Sequence, residues 1–176
     1  MPTANEIIVL VGLMGSGKTR IGSELAKLLK MAFIDADREI EQAAGCTISE
    51  IFEKFGEQEF RSGEKKVMLR LLSGPPIVLA SGGGAFIQPE LRSIIKQKAI
   101  SVWLNADLDI LVERTSRTSH RPLLLGGDPV ARLRQMMEER YPIYAEADIT
   151  IVSDQQTPQN TAWKIKTALE NLLRKG

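Results

Sequence analysis

Five short apolar runs punctuate the chain, and between them apolar positions recur at helical rather than strand spacing. Ile7-Ile8-Val9-Leu10-Val11 is apolar without interruption and rich in β-branched residues, as expected of a strand buried on both faces. Met31-Ala32-Phe33-Ile34 reads as a second short buried strand. Ile77-Val78-Leu79-Ala80, Ile100-Ser101-Val102-Trp103-Leu104 and Ile149-Thr150-Ile151-Val152 complete the set. After the first run, Ile21, Leu25, Leu28 and Leu29 mark a helix over 18–30. Short helices are expected over 38–44, closed by Gly45, and over 49–55, closed by Gly56. Thr47 and Glu50 have capping-box spacing for the second of these. A longer helix over 57–72 stops at Ser73-Gly74-Pro75-Pro76. Further helices begin near Pro89, span 107–115, and start at Asp128-Pro129, an N-cap followed by a first-turn proline, running towards Tyr141-Pro142. A last helix starts at Thr157-Pro158, with Ala162, Ile165, Leu169 and Leu172 along one face. Residues 116–127 read as irregular.

Strands alternating with helices imply a parallel sheet covered on both faces, a three-layer α/β/α arrangement. Nothing divides the chain, so residues 1–176 read as one domain with one substantial core. Trp103 and Trp163 are expected in that core. Ligands of such sheets gather beyond the carboxyl ends of the strands.

Composition adds limits. The chain is 43% hydrophobic and 26% charged, with a formal net charge of +1, so no overall field points to nucleic acid or a membrane surface. The single cysteine, Cys46, forbids an intramolecular disulfide and reads as a packing residue. No run reaches the length of a membrane span. The expectation is a cytoplasmic protein, monomeric, with no nucleic-acid or membrane partner.

The chemistry begins at Gly12-Leu13-Met14-Gly15-Ser16-Gly17-Lys18-Thr19, which fits the phosphate-binding pattern G-x-x-x-x-G-K-[ST] between a strand and a helix. Glycines let backbone N–H groups turn towards a polyphosphate, and the helix N-terminus adds its positive end. Lys18 would reach the β/γ-phosphates and Thr19 would hold Mg²⁺. Gly15, Ser16, Gly17, Lys18, Thr19 and Arg20 form the expected nucleotide contact. The absence of Asn-Lys-x-Asp disfavours a guanine-specific GTPase, and size disfavours a motor or transporter ATPase.

Asp35 and Asp37 follow a strand at i, i+2. One would serve a metal and the other would face an acceptor hydroxyl, unless they only shape a turn and cap a helix. Arg140 falls on the stripe Leu133, Met136, Met137 and Tyr144, so it faces inward and needs an anion, from within the chain or from a ligand carboxylate. Arg61 borders the stripe Phe60, Val67, Met68 and Leu71, with Glu64 placed to hold it. Gly63 in that helix costs about 1 kcal/mol relative to alanine, without a visible reason. Gly82-Gly83-Gly84 after a strand requires a tight turn or a close ligand approach. Between Arg114 and Arg140 stand six arginines, no lysine and only three acids, Asp128, Glu138 and Glu139. Part of this run lies in the irregular segment and suits a lid over a transferring phosphate, with Arg121 as its catalytic finger. His120 is the only histidine and reads as incidental.

Taken in order, these motifs resemble the shikimate kinases, small P-loop enzymes of the nucleoside-monophosphate-kinase-like group. The residues that carry the resemblance are the loop at 12–19, Asp35-Ala36-Asp37, Phe60-Arg61 with Glu64, Gly82-Gly83-Gly84, Arg121-Pro122-Leu123-Leu124, and Arg140-Tyr141-Pro142-Ile143-Tyr144. The resemblance implies ATP-dependent phosphorylation of the 3-hydroxyl of shikimate, in the route to chorismate and the aromatic amino acids. It also implies a five-stranded parallel sheet of order 2-3-1-4-5, a substrate-binding helical segment over about 37–61 and a mobile lid over about 115–127. By the same resemblance, Asp37 binds ring hydroxyls as base or orienter, and Arg61 and Arg140 clamp the carboxylate. The Gly82, Gly83 and Gly84 turn meets the substrate, Gly83 through its backbone. Lys18 and Arg121 stabilise the phosphoryl group, Thr19 and Asp35 serve Mg²⁺, and Arg114 and Gln156 lie near the adenine. The alternatives are another small-molecule kinase, for gluconate or a nucleoside monophosphate, and a nucleotide-binding regulatory module without catalysis.

Overall fold

The computed structural model describes residues 5–116 and 127–176. Five parallel strands, β1 Ile7–Val11, β2 Ala32–Asp35, β3 Ile77–Ala80, β4 Ala99–Asn105 and β5 Ile149–Val152, form one sheet of order β2-β3-β1-β4-β5. Around it lie α1 Lys18–Leu29, α2 Ala36–Ala44, α3 Ile48–Leu72, α4 Pro89–Lys98, α5 Leu108–Ser116, α6 Pro129–Tyr144 and α7 Pro158–Lys175. The α/β class and three-layer arrangement read from the residue pattern, and the strand order implied by the resemblance, are all present.

β1 lies at the centre, with Val9 in register with both Leu79 and Ser101, and all five of its residues are buried. Its side chains alternate between two cores. Ile7, Val9 and Val11 pack with Phe60, Met68, Leu91, Ile95, Leu133 and Tyr144. Ile8 and Leu10 pack with Ile21 and Leu25 of α1 and with Ile165 and Leu169 of α7. Helices on both faces leave no polar side to the strand, which is why its run shows no alternation.

The caps follow the sequence. Thr47 accepts from the Glu50 N–H (3.2 Å), Asp128 from Val130 N–H (3.0 Å) and Thr157 from Asn160 N–H (3.2 Å). Gly45 closes α2 at φ 73°. Gly56, at φ 85° and ψ 172°, separates two helical pieces that continue as α3, close to the break expected there.

Some expectations needed correction. β2 is an edge strand, with Ala32 exposed and Phe33 and Ile34 half-buried, because composition alone does not tell an edge from a centre. Trp163 is 52% exposed on the flank of α7, its ring meeting the Lys166 ammonium at 5.1 Å. Leu172 is 37% exposed near the end of the same helix, beyond the reach of the core. Helix α6 runs through Pro142 to Tyr144 rather than stopping there. Among the described residues, no helix is long and apolar enough to cross a membrane.

Because every strand points the same way, the 12–19 loop, Asp35, the 82–84 turn, Asn105 and Ser153 all emerge at one end of the sheet.

Candidate active site

The loop leaving β1 ends at Gly17, the N-cap of α1, at φ 97°. Lys18 Nζ donates to the Gly12 and Leu13 carbonyls at 2.7 and 2.9 Å, so its ammonium lies along the rim of its own loop. Ser16 is 1% exposed and its Oγ has no hydrogen-bond partner. The loop is braced from behind. Ser153 Oγ donates to the Ser16 carbonyl (2.7 Å), and Arg114 donates to Gly15 O (3.1 Å), Ser153 Oγ (3.3 Å) and Asp154 O (3.0 Å). Burial is the main cause that lowers the Arg114 pKa, with the positive charge of Arg20 adding to it against Glu113 and Asp154. Gln156 is exposed beside this brace, its N–H bonded to Asp154 Oδ1 at 2.9 Å.

Thr19 Oγ1 donates to Asp35 Oδ2 at 3.1 Å, bringing two oxygen ligands together at the start of α1. Asp35 Oδ1 accepts from Asp37 N–H at 2.9 Å and so caps α2. The capping residue is therefore Asp35, and the Asp37 carboxylate is left to face the 82–84 turn.

That turn is the floor on which the remaining side chains converge. A Cβ on Gly82 would stand 2.8 Å from Glu64 Oε2 and 3.0 Å from Asp37 Oδ1. One on Gly84 would stand 2.6 Å from the central carbon of the Arg61 guanidinium, so only glycine admits Arg61 here. Arg140 Nη1 lies 3.6 Å from the corresponding point on Gly83, and is buried without a hydrogen-bond partner. Glu64 is 1% exposed, and Arg61 donates to its Oε1 at 2.9 Å. The pair is thus built into the wall rather than lying on the surface, where it would contribute little. Together with Phe52, Phe60 and Met14, these groups line a cavity of about 550 Å³.

Two tyrosines carry α6 onto this floor. Tyr144 donates its hydroxyl to the Gly83 carbonyl, and Tyr141 donates to Ala106 O at 2.5 Å. Trp103 meets Tyr141 edge-on, with centroids 5.0 Å apart. Burial is the leading cause that raises both tyrosine pKa values to about 12.

A phosphate loop, an inward-facing cation and an acceptor-lined cavity therefore share one crevice. A family model described as shikimate kinase matches residues 14–170, most of the chain. The chain belongs to the shikimate kinase family. A shikimate kinase of Paramagnetospirillum magneticum is 52% identical over 162 residues, covering 92% of this chain and 83% of that protein. One from Caulobacter vibrioides is 52% identical over 169 residues, covering 96% and 84%. Among solved structures, the shikimate kinase of Acinetobacter baumannii in complex with shikimate superposes with a TM-score of 0.93 at 41% identity, covering 96% of this chain and 95% of that one. The activity is accordingly phosphorylation of shikimate at the expense of ATP.

In this member of the shikimate kinase family, the sequence-derived site residues fall into two groups. Gly15, Ser16, Gly17, Lys18, Thr19, Arg20, Arg114 and Gln156 gather around the phosphate loop, with Asp35 at its edge. Asp37, Arg61, Gly82, Gly83, Gly84 and Arg140 gather around the cavity. Arg121 lies outside the described residues, as does most of the lid expected over about 115–127. Sequence reasoning missed Ser153, the anchoring role of Tyr144, and Gln88, whose side-chain amide donates to Glu64 Oε1 at 2.6 Å. It also treated Glu64 only as a holder of Arg61. A lone serine or glutamine after a strand carries no motif. Glu64 was findable, since an acid one turn from Arg61 and four residues before Met68 sits beside an apolar stripe.

Proposed function

We propose that the chain transfers the γ-phosphoryl group of ATP to the 3-hydroxyl of shikimate with the residues assembled above. The observation that carries the residue assignment is a pair of buried, partnerless polar atoms around the glycine turn, Arg140 Nη1 and Glu64 Oε2. One guanidinium nitrogen and one carboxylate oxygen left open towards one cavity fit a small ligand that carries both a carboxylate and hydroxyls. Arg140 and Arg61 receive the carboxylate. Asp37 accepts from the reacting hydroxyl, orienting it towards the phosphate loop and taking its proton as the new P–O bond forms. The Gly82–Gly84 backbone keeps the ring close to these groups.

On the nucleotide side, the loop amides and the α1 N-terminus hold the phosphates, and Lys18 moves from its loop carbonyls to the transferring group. Arg114 and Gln156 border the adenine, and Arg20 joins the loop in contacting the nucleotide. Arg121 completes the charge shell from the lid over about 115–127. Thr19 and Asp35 fit Mg²⁺: both are hard oxygen donors, they lie within 3.1 Å of each other, and Mg²⁺ characteristically takes one or two protein oxygens beside phosphate. Held by Thr19 and Asp35, the ion would supply neutralisation of phosphate charge. We read the enzyme as a cytoplasmic monomer, with a helical segment over about 37–61 as the substrate-binding part of its one domain.

The test is ADP release from Mg·ATP with shikimate, set beside gluconate, AMP and CMP as acceptors. Shikimate-dependent turnover lost in Lys18→Ala is the expected result. Turnover with a different acceptor in place of shikimate would overturn the substrate assignment, and ATP binding without turnover on any acceptor would overturn catalysis.

A further inference from the structure

Gln88 occupies the N-cap of α4, ahead of Pro89, yet its side chain makes no capping bond. N-cap positions favour Ser, Thr, Asp and Asn, whose short side chains reach back to the first-turn N–H groups. The Gln88 amide turns instead into the wall of the cavity. Its Nε2 donates to Glu64 Oε1 at 2.6 Å, and a longer contact of 3.4 Å reaches the Gly84 carbonyl. A carboxylate accepts only, so the amide nitrogen is the end that faces Glu64.

This bond changes what Glu64 does to Arg61. The carboxylate is 1% exposed, and a buried charge is tolerable only when it is paired and hydrogen-bonded. Oε1 takes two donors, Arg61 Nη1 at 2.9 Å and Gln88 Nε2. Oε2 takes none and stays beside Gly82. Arginine and carboxylate otherwise favour a two-point contact that uses both oxygens. Arg61 Nη2 also faces Glu57 Oε1 at 3.5 Å, but that carboxylate is exposed and the pair is screened by solvent. With Gln88 gone, the buried Glu64 is free to turn both oxygens onto Arg61, which would occupy the guanidinium edge that a ligand anion needs.

We propose that Gln88 is a positioning residue for the anion clamp: it holds Glu64 in one-point contact with Arg61 and so keeps the guanidinium available to the carboxylate of the substrate. The inference rests on the reading that Arg61 binds that carboxylate. It predicts a selective defect, in substrate affinity and not in the nucleotide site.

Two variants test it. Gln88→Met keeps length and removes the donor. Gln88→Asn supplies a better N-cap but is one methylene too short to reach Glu64. Both should raise the KM for shikimate roughly tenfold, the size expected for a lost bond to a buried charge, with the KM for ATP and kcat within about twofold. Gln88→Asn should hold its thermal midpoint. The decisive readout is the neutral carboxamide analogue of shikimate, on which the penalty of either variant should vanish. An unchanged KM for shikimate, a parallel rise for ATP, or the same penalty on the carboxamide would overturn the proposal. Arg61→Ala is the control for the underlying reading. If it leaves the KM for shikimate unchanged, the clamp assignment itself fails; if it raises that KM while the Gln88 variants do not, only the role of Gln88 fails.

Discussion

The hydroxyl of Tyr144 donates to the carbonyl of Gly83, joining α6 to the floor of the cavity across 61 residues of chain. Tyr144 lies one helical turn beyond Arg140, so the element that supplies the buried guanidinium also fixes the backbone facing it. Tyr144→Phe removes that donor and leaves the carbonyl with one partner fewer. The KM for shikimate should rise roughly tenfold while that for ATP stays within about twofold, as a lost buried hydrogen bond predicts. Steady-state kinetics with each substrate varied in turn checks this. Equal effects on both substrates would detach the tyrosine from the shikimate side.

Arg140→Ala should act on the same side and more strongly. Charge-assisted bonds to a carboxylate are about twice as strong as neutral ones, so a rise in the shikimate KM of about a hundredfold is expected. The binding of ATP, followed by calorimetry, should be nearly unaltered.

Asp37→Asn keeps the shape of the side chain and removes its basicity. Its expected signature is a fall in kcat of about 10²–10⁴, with ATP affinity retained. Near-normal turnover would reject any role for Asp37 in handling the proton of the acceptor hydroxyl.

The only two tyrosines in the chain are Tyr141 and Tyr144, and both carry pKa values raised to about 12 by burial first of all. An exposed tyrosine ionises near 10. Between those values the unfolded chain releases protons that the folded chain keeps. Stability from these groups is therefore complete below about pH 10 and is lost as pH climbs towards 12. The tyrosinate absorbance of the native protein should stay flat through pH 10 and rise together with loss of structure. A reversible tyrosinate titration near pH 10 in the intact fold would contradict the burial.

Gly63 offers a stability test. A Cβ built there meets nothing within 4 Å, so the cost of glycine in α3 has no packing return. Gly63→Ala should raise stability by about 1 kcal/mol, or ~2–4 °C in thermal midpoint, with kcat and both KM values unchanged. A loss of activity in that variant would give the glycine the purpose that its surroundings lack.

Much of this architecture was legible in the residues themselves. β-branched runs followed by helical periods gave the layers, and the Gly12–Thr19 pattern put a glycine loop between β1 and α1, where the structure has it. Arg140 was placed correctly by periodicity alone: a charge on an apolar stripe must face something. What stayed hidden depends on contacts between segments far apart. Nothing local marks β2 as an edge, since its apolar residues match those of a central strand. Trp163 was misplaced because residue type alone put it in the core, although it lies off the apolar face of α7; Leu172 lies on that face, but spacing does not give the length of the core that covers it. Gln88 and Ser153 act through partners 24 and 137 positions away, and such pairings leave no period to read.

The brace behind the phosphate loop bears on how the nucleotide end of the enzyme is held together. Ser16 and Gly15 are held by Ser153 and Arg114, and Arg114 in turn by Asp154. Bonds within the loop, such as those of Lys18 to Gly12 and Leu13, form between neighbours in sequence, but the brace needs β5 beside β4. The loop that carries the nucleotide motif is thus shaped in part by residues 99 and 137 positions further along the chain. The end of the sheet that meets the nucleotide is therefore a closed ring, begun near position 16 and completed near position 153.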